Sequence, residues 1–341
     1  MVQKYVFFIG IDLSRDWFDA SFSRNGDKSK MIHRRFDNDM KGFLQLMEWL
    51  RGLTAKKRLP KKKMVFCMEH TGVYTLPLSH FLQKRKLDLV LVSGLEIKNS
   101  LGIRRGKNDK SDSKDIARYV FLRRDELKIS ELPCEELMLV KNLLAYRERL
   151  KKYKNGLNVA AAELRNFAPP AQSRMVFEDT GQIVANMKKR IKKVEREILA
   201  VIKEQDELRS LYYLVTSVRG IGPIIGATLL VHTNAFQAFQ KVRLFASYCS
   251  VAPFEQTSGK SICIKAKVSP LGNRKIKALL TNAARNVIRT DKQLKAYYER
   301  RIAEGKHDQS VLNAVKFKLL ARVFAVVERG TPFVEGDTFR A

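Results

Sequence analysis

Negative charge is what this sequence lacks most. Against 65 Lys and Arg it sets only 35 Asp and Glu over 341 residues, a formal net charge of +30. Such a chain repels itself and attracts polyanions, above all phosphate backbones, where each neutralised phosphate releases a condensed counterion. An anionic membrane surface would suit the same charge, but no basic amphipathic helix with an aromatic face is present. Nucleic acid is therefore the expected partner. Cysteine is scarce too: Cys67, Cys134, Cys249 and Cys263 show no Cys-x-x-Cys spacing. That excludes a zinc or disulfide framework and reads as buried thiols in a reducing compartment. No run of about 18 apolar residues exists for a membrane span, and the apolar stretch Tyr5 to Ile11 is too short for a signal peptide. A cytoplasmic protein is the expectation.

What is present suffices for packed cores, since 45% of residues are hydrophobic, and the length exceeds one typical domain of about 100 to 200 residues. The first segment alternates strands and helices. Tyr5 to Leu13 is apolar, aromatic and β-branched, and Trp17 to Ser23 is a second extended run ending at the hairpin signal Asn25-Gly26. Met31 to Phe36 is the returning strand. Phe43, Leu44, Met47, Trp49 and Leu50 then recur at helical spacing. After a Lys-rich loop, Met64 to Met68 is apolar on both faces, as a central strand would be. A helix over Tyr74 to Arg85, a strand over Leu87 to Val92 and one or two helices to Arg124 complete the order β-β-β-α-β-α-β-α.

From Glu131 to Leu211 the pattern changes to two long helices joined by a turn at Phe167-Ala168-Pro169-Pro170. In the second, Ile183, Val184, Met187, Ile191, Val194, Ile198, Val201 and Ile202 follow three-to-four spacing, which fits either a coiled-coil arm for self-association or a bundle strut. Beyond Leu214 the chain reads as compact and mostly helical to Phe333, with a frayed tail over Val334 to Ala341. The predicted divisions are 1–128, 129–212 and 213–341: an α/β domain, a helical connector and a mostly helical domain.

Four carboxylates in the first division occupy conspicuous places. Asp12 ends the first apolar strand, and Glu69 follows the apolar Val65-Phe66-Cys67-Met68. Asp112 and Asp115 are three apart at a helix start, which puts both on one face. Four oxygen donors at strand and helix ends suit one or two hard divalent cations, Mg²⁺ or Mn²⁺. The structural alternatives are turn residues at strand ends for Asp12 and Glu69, and dipole complementation behind a Ser111 cap for Asp112 and Asp115. Asp16, Asp19 and Asp109 read as less well placed. In the last division, Gly220-Ile221-Gly222 resembles a helix-hairpin-helix, whose exposed N–H groups grip phosphate without reading sequence; a structural corner is the alternative. Ser258, before Gly259 in a polar loop near Lys260, Lys265, Lys267, Arg274 and Lys275, is a candidate nucleophile toward phosphorus, although Thr-Ser-Gly is also ordinary loop sequence.

Taken in order, Ile9-Gly10-Ile11-Asp12, Met68-Glu69-His70-Thr71-Gly72-Val73-Tyr74, Lys110-Ser111-Asp112-Ser113-Lys114-Asp115, Gly220-Ile221-Gly222 and Ala252-Pro253 leading to Ser258-Gly259 resemble a group of insertion-sequence transposases. That group carries a RuvC-like (RNase H fold) Asp-Glu-Asp-Asp domain followed by a serine-bearing transposase domain. It is known for bridge-RNA-guided recombination and also contains the pilin-gene invertases. The resemblance implies that Asp12, Glu69, Asp112 and Asp115 are the four acidic positions and Ser258 the nucleophilic serine. It further implies a noncoding guide RNA, donor and target DNA, a serine–DNA 5′-phosphoryl intermediate, and an active site composed from two subunits of a homodimer or homotetramer. Two departures stand out: Ile116 where alanine is frequent, and Ser261 close enough to compete with Ser258. The alternatives are a site-specific DNA invertase with the same chemistry and a RuvC-like metal-dependent junction nuclease without a covalent serine step.

Overall fold

The computed structural model describes residues 4–54, 59–70, 72–101, 109–258, 262–269 and 271–334. Two units divide at Leu132/Pro133. In the first, β1 (Phe7–Leu13), β2 (Trp17–Ser23), β3 (Ile32–Asp37), β4 (Met64–Glu69) and β5 (Asp88–Val92) form one sheet in the order β3-β2-β1-β4-β5. β1 pairs antiparallel with β2 and parallel with β4, and β5 continues the parallel half. The helices are α1 (Met40–Thr54), α2 (Leu76–Lys84), α3 (Gly94–Leu101) and α4 (Asp109–Leu122). The strand and helix order is the one predicted, with two helices at its end. The Asn25-Gly26 connection is longer than a two-residue hairpin: Gly26 takes φ +74°, then a 3₁₀ turn, Lys28–Lys30, precedes β3.

Alternation along the strands builds two different faces. Ile9, Ile11, Phe18, Ala20 and Phe66 pack with Phe43, Leu46 and Leu50 of α1 and Leu78 and Leu82 of α2. The opposite residues Phe8, Val65, Cys67 and Val90 pack with Ile97 of α3 and Ile116 and Val120 of α4. At the centre of that second face stands Gly10, where a Cβ would lie 2.1 Å from the Ala117 nitrogen and 2.3 Å from the Ser113 carbonyl oxygen. A strand glycine marks close backbone approach, and here it lets α4 lie directly on β1. Beside it the Ser21 and Ser113 hydroxyls, both buried, are 2.8 Å apart, so the contact is fixed by a hydrogen bond as well as by packing.

The second unit begins with a helical hairpin, α5 (Glu135–Phe167) and α6 (Pro170–Glu204), turning at Ala168-Pro169. Val184, Ile191, Val194, Ile198, Val201 and Ile202 are buried, and all but Val184 share a core with Leu137, Val140 and Leu150. Ile183 is 38% exposed, outside that stripe. There follow α7 (Asp206–Ser217), α8 (Pro223–Thr233), α9 (Val242–Tyr248), a β-hairpin of β6 (Pro253–Ser258) and β7 (Ile262–Val268), and then α10 (Arg274–Thr290), α11 (Lys292–Ala303) and α12 (Asp308–Arg329). The predicted tail over Val334 to Ala341 lies, beyond Val334, outside the described residues. Cys67 and Cys249 are buried as expected, whereas Cys134 is exposed; it precedes α5 rather than sitting in an apolar element.

Candidate active site

Register brings the first two carboxylates together. The β1–β4 pairing runs to Ile11 with Met68, so Asp12 and Glu69 are the next residues on neighbouring strands. Both have the same parity as Phe8, Val65 and Cys67, which places them on the face that α4 covers. Glu69 has a made-to-measure recess: at Gly94, the first residue of α3, a Cβ would sit 2.1 Å from the Glu69 Oε1. A side chain there would push the carboxylate away from the sheet end.

α4 carries Asp112 and Asp115. It begins at Asp109, so Ser111 is its third residue and not its cap, which removes the capping account of the two aspartates. Asp112 is half-buried, and Asp115 is 3% exposed. The Asp115 carboxylate is in ionic contact with the Lys28 ammonium. Among the described residues, no three His, Cys, Asp or Glu side chains gather closely enough to hold a metal ion. The chain thus sets the four carboxylates on one side of the sheet and on the helix that covers it, without closing them into a compact cluster.

Asp19, read from the sequence as less well placed, is a third sheet carboxylate next to Asp12. Asp19 of β2 pairs with Asp12 of β1, and on its other side with Arg35 of β3. It is 2% exposed. His33 Nε2 lies 2.6 Å from its Oδ1, and Arg35 donates from Nε and Nη2 at 3.1 and 2.8 Å to Oδ2. A bidentate guanidinium offsets the carboxylate charge, so Asp19 adds little net negative charge next to Asp12. Lys28, at Asp115, is not singled out by the sequence. Both belong to a hairpin whose register, not its composition, decides what faces the site.

In the second unit, α7 and α8 are joined through Val218–Gly222. Gly220 takes φ +93° and Gly222 precedes Pro223 at the first turn of α8. Ser258 is the last residue of β6, with its backbone paired to Ile262. The expected loop position is therefore corrected to a strand end at a hairpin. The cause is a period-two pattern: Ile262, Ile264, Ala266 and Val268 alternate with Cys263, Lys265 and Lys267. Lys260 and Ser261 lie outside the described residues, and Lys265 and Lys267 are placed on β7 by backbone alone. Arg274 and Lys275 are exposed in the first turn of α10, behind the Asn273 cap.

A cavity of about 750 Å³ opens among α5, α8 and α10, lined in part by Lys141, Lys151, His232 and Lys275. Asn273 Nδ2 donates to the Tyr248 hydroxyl at 3.1 Å, and that hydroxyl lies 3.1 Å from His232 Nδ1. The hydroxyl proton is then available to the neutral ring. Burial, with the Lys141 and Lys275 ammoniums, lowers the His232 pKa to about 4. For a base whose folded value lies below its ordinary 6.5, the stability is complete above about pH 6.5 and is lost as pH falls toward 4. The loss is expected to be about 3 kcal/mol. Thermal melts at pH 7 and 4.5 should show a smaller acid shift for His232→Gln than for the parent chain. Equal shifts would contradict this.

A DNA-processing enzyme is the class to which the two comparisons with family models assign this arrangement. Residues 9–159 match a transposase model, the DEDD domain of the IS110 group, and residues 212–299 match the model of the IS116/IS110/IS902 transposase family. The two matches support a DNA transposase or recombinase of the IS110/IS116 type with a DEDD domain, and the first of them points to a RuvC-like fold and to divalent-metal use. Among curated relatives, the pilin gene-inverting proteins of Moraxella bovis and Moraxella lacunata are each 26% identical over 96% of this chain and 97% of their own length. An uncharacterised 43.6 kDa protein of insertion element IS110 from Streptomyces coelicolor is 31% identical over 40% of this chain and 33% of its own. No helix among the described residues is long and apolar enough to cross a membrane.

Proposed function

We propose that this recombinase cuts and rejoins DNA through a covalent serine intermediate, on donor and target sites chosen by a noncoding RNA, with Asp12, Glu69, Asp112 and Asp115 as the acidic residues that hold a divalent cation. The observation that carries the carboxylate half is the register that sets Asp12 beside Glu69 on the face covered by α4. The donor set fits: carboxylate oxygens are the ligands of Mg²⁺ and Mn²⁺, and the Lys28 ammonium at Asp115 marks a position that draws a cation. When bound, the ion would offset charge on the phosphate oxygens.

The covalent half is a proposal on Ser258. Its oxygen attacks the scissile phosphorus, the bond to the 3′ oxygen breaks, and the 3′ end leaves as a hydroxyl, so the 5′-phosphoryl group stays on the enzyme. An incoming 3′ hydroxyl reverses the step and frees the serine. Gly220, Gly222, Lys260, Lys265, Lys267, Arg274 and Lys275 would hold the phosphate backbone. The α5–α6 hairpin would serve as the self-association arm of a homodimer or homotetramer, and the divisions 1–128, 129–212 and 213–341 would act as metal-binding domain, connector and serine domain.

The full-length likeness to pilin gene-inverting proteins supports inversion at a fixed locus as a second reading with the same chemistry. Guidance is tested by purifying the protein from cells that carry its native flanks and sequencing the bound RNA. A discrete noncoding RNA should copurify, and its removal by ribonuclease should abolish strand exchange. Undiminished exchange after ribonuclease would overturn the RNA-guided part and leave inversion by the protein alone.

A further inference from the structure

A second basic site lies at the other end of the sheet. The carboxylates Asp12 and Glu69 stand at the C-terminal ends of the parallel strands β1 and β4. At the opposite end, where α1 finishes, α2 finishes and β4 begins, there is a cavity of about 710 Å³. Five cations line it: Arg51 from the last turn of α1, Lys61, Lys62 and Lys63 of the 3₁₀ turn before β4, and Arg85 at the cap of α2. No acidic side chain lines it among the described residues. The floor is apolar, with Met47 and Leu87 continuing into the core of this face.

The rim is held in shape by contacts that leave its charge uncompensated. Lys61 Nζ donates to the Arg85 carbonyl oxygen at 2.7 Å, tying the 3₁₀ turn to the end of α2. The Arg85 guanidinium lies 3.7 Å from the centroid of the Phe81 ring, a stacking that fixes its plane. Lys62 and Lys63 are exposed. Five like charges around one concavity repel one another, and no carboxylate of the cavity offsets them. A polyanion would.

We propose that this cavity is a phosphate-backbone clamp, a nucleic-acid contact separate from the reacting phosphate. Six residues of β4 at about 3.3 Å each put it about 20 Å along the sheet from the carboxylate end, and on the α1–α2 side rather than the α4 side. That span matches roughly six nucleotides of duplex rise. The site therefore holds a segment flanking the cut, and its chemistry, ammonium and guanidinium on phosphodiester with an apolar floor, reads no bases. Duplex DNA beside the recombination site supplies that ligand. The inference rests on the nucleic-acid partnership proposed above and, for the distance to the cut, on the carboxylate assignment; it does not use the serine assignment.

Amine acetylation of the full-length protein tests it directly. Lys62 and Lys63 should react severalfold more slowly in the presence of a 40-base-pair DNA duplex, with an RNA of the element's noncoding flank as the comparison. Protection by the DNA duplex supports the clamp on flanking DNA, whereas protection by RNA alone would overturn that assignment. In parallel, Lys62→Gln/Lys63→Gln should weaken binding about tenfold and lower the slope of log affinity against log salt by about 1.8, two contacts at ~0.9 each. Both side chains are exposed, so the fold should persist. Equal acetylation with and without the duplex, or an unchanged salt slope in the double variant, would overturn the clamp.

Discussion

Asp12→Asn is expected to abolish strand exchange while the protein stays folded and still binds DNA. The carboxylate is on the penultimate residue of β1 and is not part of either apolar cluster, so the amide costs little packing. What it removes is one negative oxygen beside Glu69. If those carboxylates hold a divalent cation at the scissile phosphate, the contribution is several kcal/mol, and at about 1.4 kcal/mol per tenfold a loss of roughly a thousandfold or more follows. Glu69→Gln should behave in the same way. Asp115→Asn is a less clean variant, because Asp115 is buried and contacts the Lys28 ammonium, and a charge deprived of its partner destabilises the fold. Its activity should be read beside a melting curve. The matching control is EDTA: strand exchange should stop on chelation and return with Mg²⁺ or Mn²⁺. Full activity in EDTA would show that the carboxylates serve the structure alone.

The strand–helix order of the first unit could be read from the sequence because its signals are local. Met64 to Met68 is apolar on both faces, and β4 lies between β1 and β5; Phe43, Met47 and Leu50 recur at helical spacing, and all three are buried in α1. What depends on register was not legible. Asp19 reads from the sequence as less well placed, and only the pairing of β2 with both β1 and β3 sets it between Asp12 and Arg35. Lys28 reaches Asp115 across 87 residues of sequence, a separation no local pattern encodes. The β6–β7 hairpin, by contrast, had a visible signal. The Ile262, Ile264, Ala266, Val268 alternation was outweighed by the Thr-Ser-Gly and lysine content, which reads as loop. Gly10 and Gly94 show the same division: one is visible as a glycine inside a strand and the other as a glycine at a helix start, but the Ala117 backbone and the Glu69 carboxylate that require them come from distant segments.

Ser258→Ala is expected to have the second large effect, and it separates recombinase chemistry from simple hydrolysis. A serine hydroxyl is a weak nucleophile at neutral pH and needs activation by a base, a cation or both. Ser258 ends β6 where the chain turns into β7, and its alanine variant should retain DNA and RNA binding, since phosphate contacts from the many cations dominate affinity. Cleavage and joining should vanish together, because one covalent species serves both steps. In a RuvC-like nuclease, where water is the nucleophile, the same variant would still cut.

The most direct measurement is therefore the covalent adduct itself. A DNA substrate nicked near the cut, so that the 5′-phosphoryl product cannot be resealed, is incubated with the protein and Mg²⁺, and the mixture is run on a denaturing gel, with the linked peptide sequenced by mass spectrometry. The account predicts a protein–DNA species linked at Ser258, present in the parent chain and in Ser261→Ala and absent in Ser258→Ala and Asp12→Asn. An adduct that persists in Ser258→Ala and disappears in Ser261→Ala would move the nucleophile three residues along. Cleavage by the parent chain with no adduct at all would contradict the serine mechanism and leave a metal-dependent nuclease.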